Sequence, residues 1–109
     1  MNEPDQRVPA GAAATGLAAT SLFVVERRLP GTDEHQLAVL QAALAGAAGR
    51  LSARGRCVRY LRSVFLARQA RVLSFFTADS VEAVSAVNEA SLVPFTSIEP
   101  AVELPAPVP

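Results

Sequence analysis

Between Ser21 and Leu104 the apolar positions switch repeatedly between the two-residue period of a strand and the three- to four-residue period of a helix. Leu22-Phe23-Val24-Val25 is a β-branched and aromatic run, which predicts a strand over 21–27 that the Pro30-Gly31 turn brings to an end. Leu37, Leu40, Leu44, Ala47, Ala48 and Leu51 recur at helical steps, predicting a helix over 32–54 with one stripe against a sheet. Thr32 or Asp33 caps it, Asp33 and Glu34 complement its dipole, and Gly55 stands where a left-handed terminator belongs. Gly46 and Gly49 weaken this helix by up to about 1 kcal/mol each relative to alanine, and they would permit a neighbour to approach closely.

Two further strands, 57–66 and 71–77, are rich in Val, Leu, Phe and Tyr and flank a four-residue connection, Ala67 to Ala70, of common hairpin length. Asp79-Ser80-Val81-Glu82 reads as a capping box with Asp79 as the cap, opening a helix over 79–91 whose buried stripe is Val84, Val87 and Ala90. After the Leu92-Val93-Pro94-Phe95 turn, Ile98, Val102 and Leu104 alternate with Glu99, Ala101 and Glu103, predicting a strand over 96–104. The order strand, helix, strand, strand, helix, strand is the split βαβ, or ferredoxin-like, arrangement. The expected fold is α+β: a ferredoxin-like βαββαβ chain with a four-stranded antiparallel sheet and two helices on one face.

If Leu66 pairs with Arg71 across the hairpin, then Val64, Arg62 and Tyr60 oppose Leu73, Phe75 and Thr77. Both faces of that ribbon are largely apolar, yet helices cover only one. The second face therefore calls for another cover, and two sheets packed face to face in a homodimer, a dimeric α+β barrel, would bury Tyr60, Val64, Leu73 and Phe75.

Length sets the scale of this expectation. The chain has 109 residues. Residues 1–19 are rich in Ala, Gly, Pro and Thr without a recurring large apolar side chain, and are expected to form a disordered tail. A single domain over 20–104 remains, followed by a proline-rich tail over 105–109. A domain this small hides only roughly 60–65% of its unfolded surface, whereas half of all residues are hydrophobic. That surplus again points to a second buried surface.

Charge and cysteine content narrow the chemistry. Ten basic and ten acidic side chains cancel, so the basic stripe of a nucleic-acid-binding domain is not expected. Every basic residue is arginine, a usage that fits a GC-rich bacterial genome. Cys57 is the only cysteine, which rules out an internal disulfide; at the start of a strand it is expected to be a small buried hydrophobe. No run approaches the roughly 18 apolar residues of a membrane span, and the acidic Glu3 and Asp5 spoil a signal peptide, so a cytoplasmic location is expected. His35, the sole histidine, falls in the first turn of the first helix and is expected to be solvated.

Candidate binding residues come from the polar positions of the strands. Glu26, Arg62, Glu99 and, toward the end of the last strand, Glu103 are expected on strands, with Tyr60 and Thr77 on their side. The strand order of this fold brings the first and last strands together, and with them Glu26 toward Glu99. Glu26, Tyr60, Arg62 and Glu99 are thus the expected ligand-binding set, an arginine among carboxylates suited to a small anion or a cation. The plainer reading of the same charges is an intersubunit salt-bridge network that fixes dimer register.

Phe23-Val24-Val25-Glu26-Arg27-Arg28-Leu29-Pro30-Gly31, then Val58-Arg59-Tyr60-Leu61-Arg62-Ser63, Val81-Glu82-Ala83-Val84, and Pro94-Phe95 leading to Ile98 and Glu99 resemble, in this order, a family of small bacterial proteins. It is a domain family of unknown function that includes a nickel-binding, ferredoxin-like dimer. The resemblance implies a dimeric ferredoxin-like fold and binding of a divalent metal such as nickel. Where that pattern often has histidine before the serine of the second strand, this chain has Arg62; where cysteine is common in the third, it has Ser74. Glu26 and Glu99 are then the strand-borne oxygen donors left for a metal. The sequence reading is a homodimeric small-ligand or metal-binding protein. A cofactor-free oxygenase or isomerase of the dimeric α+β barrel type is one alternative, and a structural or regulatory interaction protein another.

Overall fold

A computed structural model describes residues 20–108. The tail expected over 1–19 lies outside the described residues, as does Pro109. Strand β1 (Ser21–Arg28) leads through the Pro30-Gly31 turn into α1 (Glu34–Ala53); β2 (Val58–Leu66) and β3 (Arg71–Ala78) form a hairpin; α2 (Val81–Ala90) and β4 (Ser97–Ala101) complete the described elements. The sheet order is β2-β3-β1-β4, with every neighbour antiparallel. This is the expected ferredoxin-like α+β arrangement.

Local chemistry sets the element ends. The Asp33 carboxylate accepts from the Gln36 amide at 2.8 Å, capping α1. At its other end Gly55, at φ +93°, allows the Gly55 amide to reach the Ser52 carbonyl and the Arg56 amide to reach that of Leu51, a Schellman closure. The cap of α2 is Ser80, whose hydroxyl accepts from the Ala83 amide, and not Asp79 as the capping-box reading had it. The helix consequently starts later, and its buried stripe is Ala83, Val84, Val87 and Asn88, with Ala90 exposed. The hairpin closes through a single 3-10 turn (Ala67–Gln69) and a left-handed Ala70.

One core lies between the helices and one face of the sheet. Phe23, Val25, Val58, Val72, Phe76 and Ala78 from the strands meet Leu40, Leu44, Ala47, Ala48, Ala83, Val84 and Val87 from the helices. Leu37 and Leu51 pack at its margin. Two expectations about close packing fail. Cys57 precedes β2 and is exposed. Neither helical glycine admits a tight neighbour: a methyl group on Gly46 would meet only the Arg50 guanidinium at 3.3 Å, and one on Gly49 would meet nothing within 4 Å. Gly49→Ala should therefore raise stability by about 0.5–1 kcal/mol, read as an upward shift of the urea midpoint with unchanged slope.

The last strand is shorter than its alternation suggests. Pairing stops at Ala101, opposite Leu22 near the start of β1, so the chain beyond has no partner strand within its own sheet. Val102 and Leu104 are consequently more than four-fifths exposed rather than part of an apolar strand face. Pro100 is tolerated because β4 is an edge strand, where a missing amide leaves no ladder bond unmade.

Candidate functional site

Three of the four residues expected to share a site do share a face. Across the side of the sheet opposite the core, register aligns Arg62 on β2, Phe75 on β3, Val24 on β1 and Glu99 on β4 in one row. The next row is Val64, Leu73, Glu26 and Ser97. Arg62 and Glu99 stand at opposite ends of their row, three strand spacings or about 14 Å apart, with apolar side chains between them. Glu26 is a diagonal neighbour of Glu99 but is occupied. Arg71 grips it with two bonds, Nε to Oε2 at 2.8 Å and Nη2 to Oε1 at 2.9 Å. The Arg62 guanidinium lies over the Phe75 ring, 4.9 Å from its centre.

The bond from Arg71 is the main reason the Glu26 carboxyl sits below its ordinary value of 4.5; partial burial opposes this, and the charges of Arg71 and Arg28 add to it. A carboxylate depressed in the folded state stabilises it above the ordinary value, and the contribution fades as pH falls through the lowered one. Wild type should therefore lose stability on acidification below about pH 4.5 more steeply than Glu26→Gln. Thermal melts at stepped pH check this; parallel curves would show that the pair contributes nothing.

Tyr60 is not in this set, contrary to the expectation that it shares the open face with Glu26, Arg62 and Glu99. The β2–β3 register shifts between Tyr60 and Arg62, so Tyr60 pairs with Phe76 instead of Thr77 and Leu61 is the extra residue of a bulge. The shift swings Tyr60 to the helix side, edge-on to Phe76 with ring centres 5.4 Å apart. There its hydroxyl donates to Gln41 Oε1 at 2.8 Å and meets Ser63 Oγ at 2.7 Å, which in turn meets Ser74 Oγ at 2.7 Å. Each hydroxyl has one proton, so the bond to Gln41 sets the order: Ser74 donates to Ser63, Ser63 to Tyr60, and Tyr60 to Gln41. Burial pushes the Tyr60 phenol above its ordinary value of 10.0, against smaller opposing effects of Ser63 and Arg27. Tyr60 is a proton donor at neutral pH, not a base.

The residue that sequence reasoning missed is Arg27. It is fully buried on the core face of β1, where Phe23 and Val25 precede it at the same two-residue step. Its Nη2 donates to Asn88 Oδ1 and its Nε to the Pro94 carbonyl at 3.4 Å, while Nη1 has no partner among the described residues. Asn88 is fixed in turn by donating to the Val84 carbonyl at 2.8 Å. The alternation Phe23, Val25, Arg27 was the available signal.

Above the end of β1 lies a cleft of about 380 Å³, lined mainly by apolar residues of the β1–α1 turn, α1 and the α2–β4 loop, among them Leu29, Val39, Leu40 and Val93, with Arg28 in its wall. No family model, curated protein or solved structure matches this chain. Among the described residues, no three His, Cys, Asp or Glu side chains gather where one ion could be held, and no helix is long and apolar enough to cross a membrane.

Proposed function

We propose that this protein is a homodimeric module that binds a small organic ligand, with the open faces of two sheets packed against each other. The observation that carries the dimer is the row Arg62, Phe75, Val24, Glu99: apolar in the middle and oppositely charged at its ends. A two-fold axis lying between the sheets and parallel to the strands would set β2 of one protomer over β4 of the other. Arg62 would then face the partner's Glu99 twice, on either side of a paired apolar centre. An axis across the strands would instead stack β2 on β2 and forfeit this match.

Binding is favoured over catalysis because the groups suited to proton transfer sit away from neutrality, Glu26 held ionised by Arg71 and Tyr60 held protonated by burial. That also removes support from a cofactor-free oxygenase or isomerase. An organic ligand is favoured over nickel because both Glu26 oxygens are engaged and, among the described residues, the carboxylate has no cluster of further donors around it. Sedimentation velocity at tens of micromolar tests the dimer: a two-subunit species is expected, and a lone subunit would sink the reading.

A further inference from the structure

We infer that Arg27 is the anion-binding residue of a carboxylate site roofed by the α2–β4 loop, and that the cleft beside this loop takes the apolar body of the same molecule. The inference names a ligand class for the binding module proposed above and does not depend on its dimeric state.

A buried guanidinium keeps its charge across the physiological pH range, and burial of such a charge is tolerated when it is paired. Arg27 is not paired. Among the described residues its two acceptors are neutral, the Asn88 amide and the Pro94 carbonyl, and the outer nitrogen Nη1 has none. Burial alone draws its proton affinity down. A core that needed only to be filled would be better served here by methionine or leucine, so the charge marks a place where an anion belongs.

Both acceptors lie on one stretch of chain, from the end of α2 into the loop that follows it. Asn88 is in the last turn of α2 and Pro94 in the following loop, residues 91–96. Val93 of this loop lines the 380 Å³ cleft on one side and a second, shallower cleft of about 390 Å³ on the other. Leu92 holds a left-handed backbone at φ +63° with its side chain 88% exposed, so the loop is strained at this residue, while Val93 and Phe95 on its far side pack against the core. Displacing the loop would free the Arg27 Nε from the Pro94 carbonyl and release that strain.

Charge decides which cleft is used. The second cleft presents the Glu89 carboxylate, which repels an anion. Among the described residues the first has no acidic side chain in its wall, has Arg28, and is otherwise mostly apolar. Its volume lies at the lower end of the roughly 300–1,000 Å³ typical of small-molecule sites. The fitting ligand is a compact monocarboxylate with a hydrocarbon or aromatic body, its carboxylate on Nη1 of Arg27 and its body among Leu29, Val39, Leu40 and Val93.

Isothermal titration with sodium octanoate, and with 1-octanol as its uncharged counterpart, tests this on the full chain. Octanoate should bind saturably and roughly tenfold or more tighter than octanol, and Arg27→Met should abolish that preference. Without ligand, Arg27→Met should fold and melt no lower than wild type, because an uncompensated charge has been removed. Should that variant fail to fold, Val39→Glu, on the exposed rim, should weaken octanoate while sparing octanol. Equal binding of the two probes, no binding of octanoate, or a preference that survives these substitutions each overturns the inference. Failure here with an intact dimer leaves the assembly standing, and octanoate binding by a monomer does the converse.

Discussion

Phe76→Ala is expected to cost about 3–5 kcal/mol, the largest loss of stability expected from a single substitution in this core. Phe76 is fully buried near the middle of β3, flanked in the sheet by Phe23 on β1 and Tyr60 on β2. Its removal deletes apolar area and the edge-on contact with Tyr60 together, and leaves a void in the core. A domain of this size has a total stability on the order of 4–13 kcal/mol, so one such cavity consumes a large share. The thermal midpoint should fall by roughly 15 °C or more. A loss below about 1 kcal/mol by urea titration would mean that the core lies elsewhere.

Reversing one charge at the sheet edge should act on assembly instead. In the proposed dimer the contact between Arg62 and the partner's Glu99 occurs twice, so Arg62→Glu converts two attractions into two repulsions. Each exposed pair contributes only about 0.2–1 kcal/mol, and reversal roughly doubles the difference; the dimer dissociation constant should rise about tenfold or more. Glu99→Arg should do the same. The double variant Arg62→Glu/Glu99→Arg restores opposite signs at both contacts and should recover most of the lost affinity. This recovery separates the charge match from the loss of the Arg62–Phe75 stacking, which both Arg62 variants share. The effect should shrink at high salt. A double variant as weak as Arg62→Glu alone would remove the proposed axis.

How far each feature could be read from the chain depends on how local its cause is. Element order and type follow from periods of two and of three to four residues, set by neighbours a turn or less away, and these agree with the structure from β1 to α2. The positive φ of Gly31 and Gly55 likewise reflects turn geometry within a few residues. The faces of β1 and β3 were legible because their alternation is unbroken, and the burial of Arg27 was implicit in it.

Tyr60 could not be assigned the same way. A bulge inserts one residue into β2 where it pairs with β3, and that is a property of two strands together: alternation along β2 alone continues through Leu61 without a mark. The ends of strands were hidden for a related reason. Val102 and Leu104 keep the pattern of a strand, but β1 has run out beside them, and Cys57 stands outside the sheet because β2 pairs only from Val58, opposite the end of β3. Local sterics and hydropathy along the chain thus dictated which segments extend and which coil. Long-range pairing chose the face, the last paired residue and the neutral company in which the Arg27 charge is left, since each depends on atoms far away in the chain.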